Sequence, residues 1–273
     1  MQNHTHARVA LLACGALLSL SAHAHRPWLL PSATLTDGAA PVVSVDAAIS
    51  EDLFEFDSFP LMLDTLSVTA PDGSTVAADA RTEAKRRVSF DVKLTQKGTY
   101  RIAGVTDTAT ASWKVGGETR RWRGAPAALA KDVPADAQDL QVSRQLARAE
   151  TFVTNETPGA VPAAVSGDGL ELQPLTNPTD LSVGDTTRFR LLLDGLPCAG
   201  ADVTVVRGGN RYRYRMGEIA LKTDAAGEFA VAWPEAGRYW LGVSHGGRAQ
   251  GAAAAGAAPR RESYSATFEV LPK

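Results

Sequence analysis

Short runs in which apolar and polar residues alternate, each closed by a glycine or proline turn, fill this chain from residue 40 onward. Period-two alternation of this length fits half-buried strands, not helices. Ala40 to Ala47 alternates in this way, and Val88, Phe90, Val92 and Leu94 share one face of Arg87 to Leu94. Leu66 to Ala70 ends at Pro71-Asp72-Gly73, where Pro presets φ and Gly supplies a positive φ. Lys97-Gly98 turns into Thr99 to Ala103, and Ala109 to Val115 closes at Gly116-Gly117. The 24 Gly and 15 Pro supply turns on the scale that an all-β protein needs. Ala135 to Thr154 allows a helix by composition, but Leu140, Val142, Leu146 and Phe152 keep period two. A short helical turn near Ala125 to Lys131 followed by an extended strand is the preferred reading.

Asn155 to Gly169, rich in Pro, Gly and small residues, is the best domain boundary. It separates an N-terminal sandwich (25–160) from a C-terminal one (168–273). In the second, Leu170–Leu172, Thr187–Leu193, Ala201–Val206, Tyr212–Leu221, Glu228–Ala232, Arg238–Ser244 and Ser265–Leu271 read as strands. Seven strands in about 100 residues is the spacing of an immunoglobulin-like sandwich. Gly246 to Arg261 is low in complexity and reads as a hairpin loop, with a flap beside His245 as the functional alternative.

The first 24 residues have the form of a secretory signal peptide. Arg8 precedes an apolar core from Val9 to Leu20, and Ala22-His23-Ala24 gives an Ala-x-Ala cleavage site. Leu11-Leu12-Ala13-Cys14 loosely resembles a lipobox, but the apolar core before Cys14 is too short for it. Cleavage after Ala24 leaves 27 basic and 30 acidic residues, a balance with no electrostatic case for nucleic acid. It also leaves one cysteine, Cys198, hence no internal disulfide, and no second apolar stretch of 18 residues. The expectation is a periplasmic chain with no transmembrane span.

Several motifs carry a resemblance. The start His25-Arg26-Pro27-Trp28-Leu29-Leu30-Pro31-Ser32 resembles the opening of an exported bacterial domain-of-unknown-function family, family 4198, with NikM-like members linked to nickel and cobalt uptake. Gly98-Thr99-Tyr100, Glu150 to Thr154, Leu172 to Pro178 and Leu181 to Asp185 continue the match. Gly195 to Val203 and Thr223 to Phe229 resemble pieces of carboxypeptidase-regulatory-like and collagen-adhesin-B-like sandwiches. The resemblance implies a periplasmic protein of transition-metal uptake, with a metal-uptake transporter or another envelope component as partner.

Cleavage after Ala24 leaves two histidines, His25 and His245. An N-terminal His can close a chelate on one metal through its α-amine and Nδ1. The amine ordinarily titrates at about 7.7–8.0 and the imidazole at about 6.5, so a metal can displace both protons near neutral pH. His245 would complete a three-nitrogen site suited to Cu, Ni or Co. Cleavage after Ala22 would instead leave His23-Ala24-His25, with a histidine third in the chain.

Two charged motifs stand out. Glu51 to Asp57 packs four carboxylates into seven residues, as a metal-entry or partner surface or a solvated loop. Arg207, Arg211, Arg213 and Arg215 alternate with Tyr212 and Tyr214, as a charged sheet face over a tyrosine-lined core, or as an anion or headgroup contact. Arg120-Arg121-Trp122-Arg123 is a basic patch without an assigned role. No Gly-x-Ser-x-Gly, phosphate loop or dinucleotide fingerprint is present, so no enzyme is expected. A histidine-brace copper oxidase with Tyr264 as axial group is a minor alternative. A non-enzymatic envelope module without metal is the principal alternative to the metal reading.

Overall fold

The computed structural model describes residues 25–162, 166–246 and 259–273. The signal-peptide reading, Cys14 and most of the Gly246–Arg261 segment therefore lie outside the described residues. In the first half the principal strands are β1 (Arg26–Pro31), β2 (Val42–Ser50), β3 (Thr65–Thr69), β4 (Ala78–Glu83), β5 (Val88–Lys93), β6 (Gly98–Val115), β7 (Glu118–Gly124) and β8 (Gln138–Asn155). The second half adds β9 (Leu170–Pro174), β10 (Thr186–Leu193), β11 (Asp202–Arg207), β12 (Ile219–Lys222), β13 (Glu228–Ala232), β14 (Gly237–His245) and β15 (Arg260–Leu271). The chain is all-β and forms two immunoglobulin-like sandwiches. Its helical content among the described residues is a short turn at Pro126–Asp132 and another at Asn210–Tyr212.

Three sheets build the sandwiches. A small sheet runs β1-β2-β5-β4, and another joins β9 and β13 to β10. The third is shared: β12-β11-β14-β15-β8-β6-β3, with β7 flanking β6. The shared sheet crosses the segment read as the domain boundary, because β15 pairs in parallel with β8 from Arg144↔Arg260 to Thr151↔Thr267.

The two faces of β8 show how the sandwiches are arranged. Ala149 and Val153 enter the first core with Val45, Phe90, Tyr100 and Ile102. Phe152, pointing the other way, enters the second core with Phe189, Trp233, Leu241 and Phe268. Successive strand side chains alternate faces, so the small sheets cover opposite faces of the shared sheet at opposite ends. Each sandwich thus leaves one face of its part of the large sheet for something else to cover.

β1 covers part of one such face. Leu29 packs into the first core. Trp28, 1% exposed, points the other way into a third cluster with Ala48, Leu53 and Val206. Trp28 Nε1 donates to Ser50 Oγ at 2.8 Å, and Trp240 Nε1 donates to the Pro27 carbonyl at 2.9 Å. β1 is pinned between the sandwiches.

One strand reading is corrected. Tyr212–Leu221 is strand only over Ile219–Lys222, and its tyrosines line no core: Tyr212 is 78% exposed and Tyr214 fully so. Gly208-Gly209 interrupts the strand. Gly209 sits at φ 73°, and a Cβ on Gly208 would collide with the Phe54 ring. The basic loop instead meets the acidic one. Arg211 Nε bonds Asp52 Oδ2 at 3.0 Å, and Asn210 Oδ1 accepts from the Leu53 N–H at 2.9 Å. Arg213 turns back onto the carbonyls of Arg207 and Gly208.

Candidate functional site

The uncovered face between the sandwiches forms a cleft of about 650 Å³. Its floor is the shared sheet, where small or polar side chains recur at alternate positions over five neighbouring strands. Thr106 and Thr108 lie on β6, Gln145 and Ala147 on β8, Ser263 and Ser265 on β15, Gly242 and Ser244 on β14, and Thr204 on β11. These residues are in register: Thr106 opposes Ala147, Ala147 opposes Ser263, and Ser263 opposes Ser244. Their partners on the other face, such as Val203, Val243, Tyr264 and Ala266, build the second core.

Trp240 forms one wall. Its ring lies across Gly242, two residues on, where any Cβ would overlap it. The Arg26 guanidinium stands 5.5 Å from that ring's centroid, and its Nη2 bonds Glu218 Oε1 at 3.2 Å and Met216 Sδ at 3.1 Å. Arg123 and Arg261 line the cleft at other points.

His25 stands at the rim. Its Nε2 lies 3.8 Å from Glu51 Oε1, and its ring centroid is 5.7 Å from that of Phe59. Both partners of the ion pair are about half exposed, so the attraction is weak by itself. What fixes Glu51 is Asp57, whose carboxylate accepts from the backbone N–H groups of Glu51 (3.2 Å) and Asp52 (2.9 Å). Burial would raise the Asp57 pKa. Hydrogen bonds from Ser58 and from those backbone donors outweigh it and hold the carboxyl below its usual value.

His245 is exposed at the last residue of β14, opposite Glu262 in the register, and is not among the residues lining the cleft. Among the described residues no group of three or more His, Cys, Asp or Glu is placed to hold a metal ion. Cys198 is buried, and burial pushes its thiol pKa up.

Tyr264 is engaged elsewhere. Its hydroxyl donates to Glu150 Oε2 at 2.8 Å on the far side of the sheet. Burial, and then the Glu150 charge, raise the phenol pKa well above 10. Arg101 Nη1 holds the same carboxylate at 3.1 Å, and Nη2 donates to the Leu172 carbonyl at 3.0 Å. This buried group ties β6, β8, β9 and β15 together; it is not an axial group for a metal at His25.

The sequence reading missed the cleft floor. Its signal was present in Ser263-Tyr264-Ser265-Ala266-Thr267-Phe268, where small polar residues alternate with core residues in a strand with no solvated role.

Solved structures similar to this chain include the D0-D1 domain of intimin (11% identity, 88% of this chain and 97% of that one, TM-score 0.23). Others are an ICAM-5 D1-D4 ectodomain fragment (11%, 90% and 51%, 0.23) and trypsin-activated alpha-2-macroglobulin from Escherichia coli (13%, 89% and 16%, 0.23). Scores this low bear on neither activity nor partners. No curated protein matches the chain. The motifs that open at His25 and continue to Asp185 have a sequence-level counterpart: the model of the family described as "Domain of unknown function (DUF4198)" matches residues 22–247, and the chain belongs to that family.

Proposed function

We propose that this is an exported, non-enzymatic protein that binds a transition-metal ion (nickel, cobalt or copper) through His25 and passes it to an uptake system of the cell envelope. The observation that carries the reading is the placement of His25. It directly precedes a buried, doubly anchored strand, at the rim of the cleft and beside the Glu51 carboxylate. Cleavage after Ala24 would give His25 a free α-amine, and amine and Nδ1 then form the chelate. Glu51, on the Nε2 side of the ring, favours the tautomer that leaves the Nδ1 lone pair for the metal. His245, the third ligand expected from the sequence, ends β14 on the strand face opposite Gly242 and Ser244 of the cleft floor, so its imidazole would have to come round the end of β14 to join the chelate.

Titration of the mature protein, beginning at His25, with Cu(II), Ni(II) and Co(II) tests this. Binding tighter than about micromolar is expected, with a loss of at least tenfold in His25→Ala and a smaller loss in His245→Ala. A mature protein that takes up none of the three metals refutes the metal reading. Unchanged binding in His245→Ala removes that residue from the site.

A further inference from the structure

We propose that the cleft binds a linear acidic saccharide, an oligouronate whose carboxylates are held by Arg123 and Arg261 while its hydroxyls lie on the strand floor. The proposal does not rest on the metal reading, although His25 stands at the rim of the same cleft.

The charge balance of the cleft comes first. Glu218 is paired with Arg26, and Asp202 with Lys222 at 2.7 Å. Arg123 and Arg261 have no ion-pair partner among the described residues, so the cleft keeps an uncompensated positive charge at two points. They lie on β7 and β15, three strand spacings apart, which is about 14 Å at about 4.8 Å per strand. Two anionic groups on one extended molecule can reach both. Guanidinium and carboxylate form charge-assisted, often bidentate hydrogen bonds, the strong class for such recognition.

The floor between them selects a hydroxylated ligand over a bare polyanion. Thr108 opposes Gln145, which opposes Arg261, so donors and acceptors form one row across the sheet. Ser265, 2% exposed, has a buried hydroxyl with no hydrogen-bond partner. A buried polar group left unpaired costs free energy that a ligand can recover. A phosphate chain, with acceptors only, could use the donors of this floor but not its acceptor oxygens, whereas a saccharide hydroxyl uses both.

The test is calorimetric titration of the mature protein at low salt with trigalacturonate, neutral maltotriose and tripolyphosphate. Trigalacturonate is expected to bind, with maltotriose and tripolyphosphate at least tenfold weaker. Arg123→Ala/Arg261→Ala is expected to weaken trigalacturonate at least tenfold, with an unchanged circular dichroism spectrum and urea midpoint. The proposal is overturned if trigalacturonate does not bind. It is also overturned if either comparison ligand binds equally well, or if the folded double variant retains the affinity.

Discussion

Gly242 has no side chain because Trp240 needs the space above it. The Trp240 ring is also the surface beside which Arg26 stands, and its N–H holds the Pro27 carbonyl. Gly242→Val is therefore expected to displace the ring and release β1, lowering stability by about 1–3 kcal/mol in urea denaturation, as overpacking does. Glu262 makes a second prediction at this scale. Burial raises its pKa from the usual 4.5, and Arg260 opposes that only in part. The folded state then binds the proton more tightly than the unfolded one, so stability falls as pH rises from about 4.5 through the folded value. Glu262→Gln removes this penalty. Its urea midpoint relative to wild type should climb over that window and level off above it, and a difference that shrinks with rising pH would contradict the assignment. Arg260 keeps Asp168 and Asp194 in the variant. Neither residue could be singled out in the sequence, since what distinguishes each is a neighbour on the same strand face or on a loop far away in the chain.

The strands themselves were largely legible. Alternation located β3, β5, β10, β11 and β13 to within a residue or two, and β2 to within three, because each has one face in a core and one in solvent. The fusion of Thr99–Ala103 and Ala109–Val115 into one 18-residue strand was not legible, since the intervening residues 104–108 sit outside either core. The arginine–tyrosine alternation misled for a related reason. Period two signals a strand only when one face has something to cover, and here the paired glycines turn the chain into a loop whose arginines find carboxylates and carbonyls. At the parallel β8–β15 junction, Arg101 and Glu150 are a buried pair with Tyr264 as third member. Glu150→Ala leaves a guanidinium buried without its partner and is expected to cost about 3–5 kcal/mol. Arg101→Leu/Glu150→Leu should cost clearly less, because no charge is stranded. Thermal and urea denaturation of the two variants side by side checks this, and equal losses would mean that the pair acts only through packing.

At the scale of the molecule, the boundary read at Asn155 to Gly169 coincides with the connection between β8 and β9, but pairing across the shared sheet cannot be read from composition. Parallel pairing of strands more than a hundred residues apart leaves no local trace. Because β8 contributes to both cores and β15 is bonded to β8 and β14, the two sandwiches are expected to melt as one unit. Calorimetry of residues 25–273 should show a single transition with equal calorimetric and van't Hoff enthalpies, and two resolved transitions would show that the halves are separable. The position of β15, more than a hundred residues after β8, also sets an order of events during synthesis. β8 is complete at Asn155, yet the strand that covers its edge begins at Arg260. At about 5–20 residues per second the ribosome leaves that edge open for about 5–20 s. Until β15 arrives, β8 offers the unpaired edge of Arg144 to Thr151 to any other nascent chain. A holding chaperone that keeps the polypeptide extended until β15 has been made would remove that hazard.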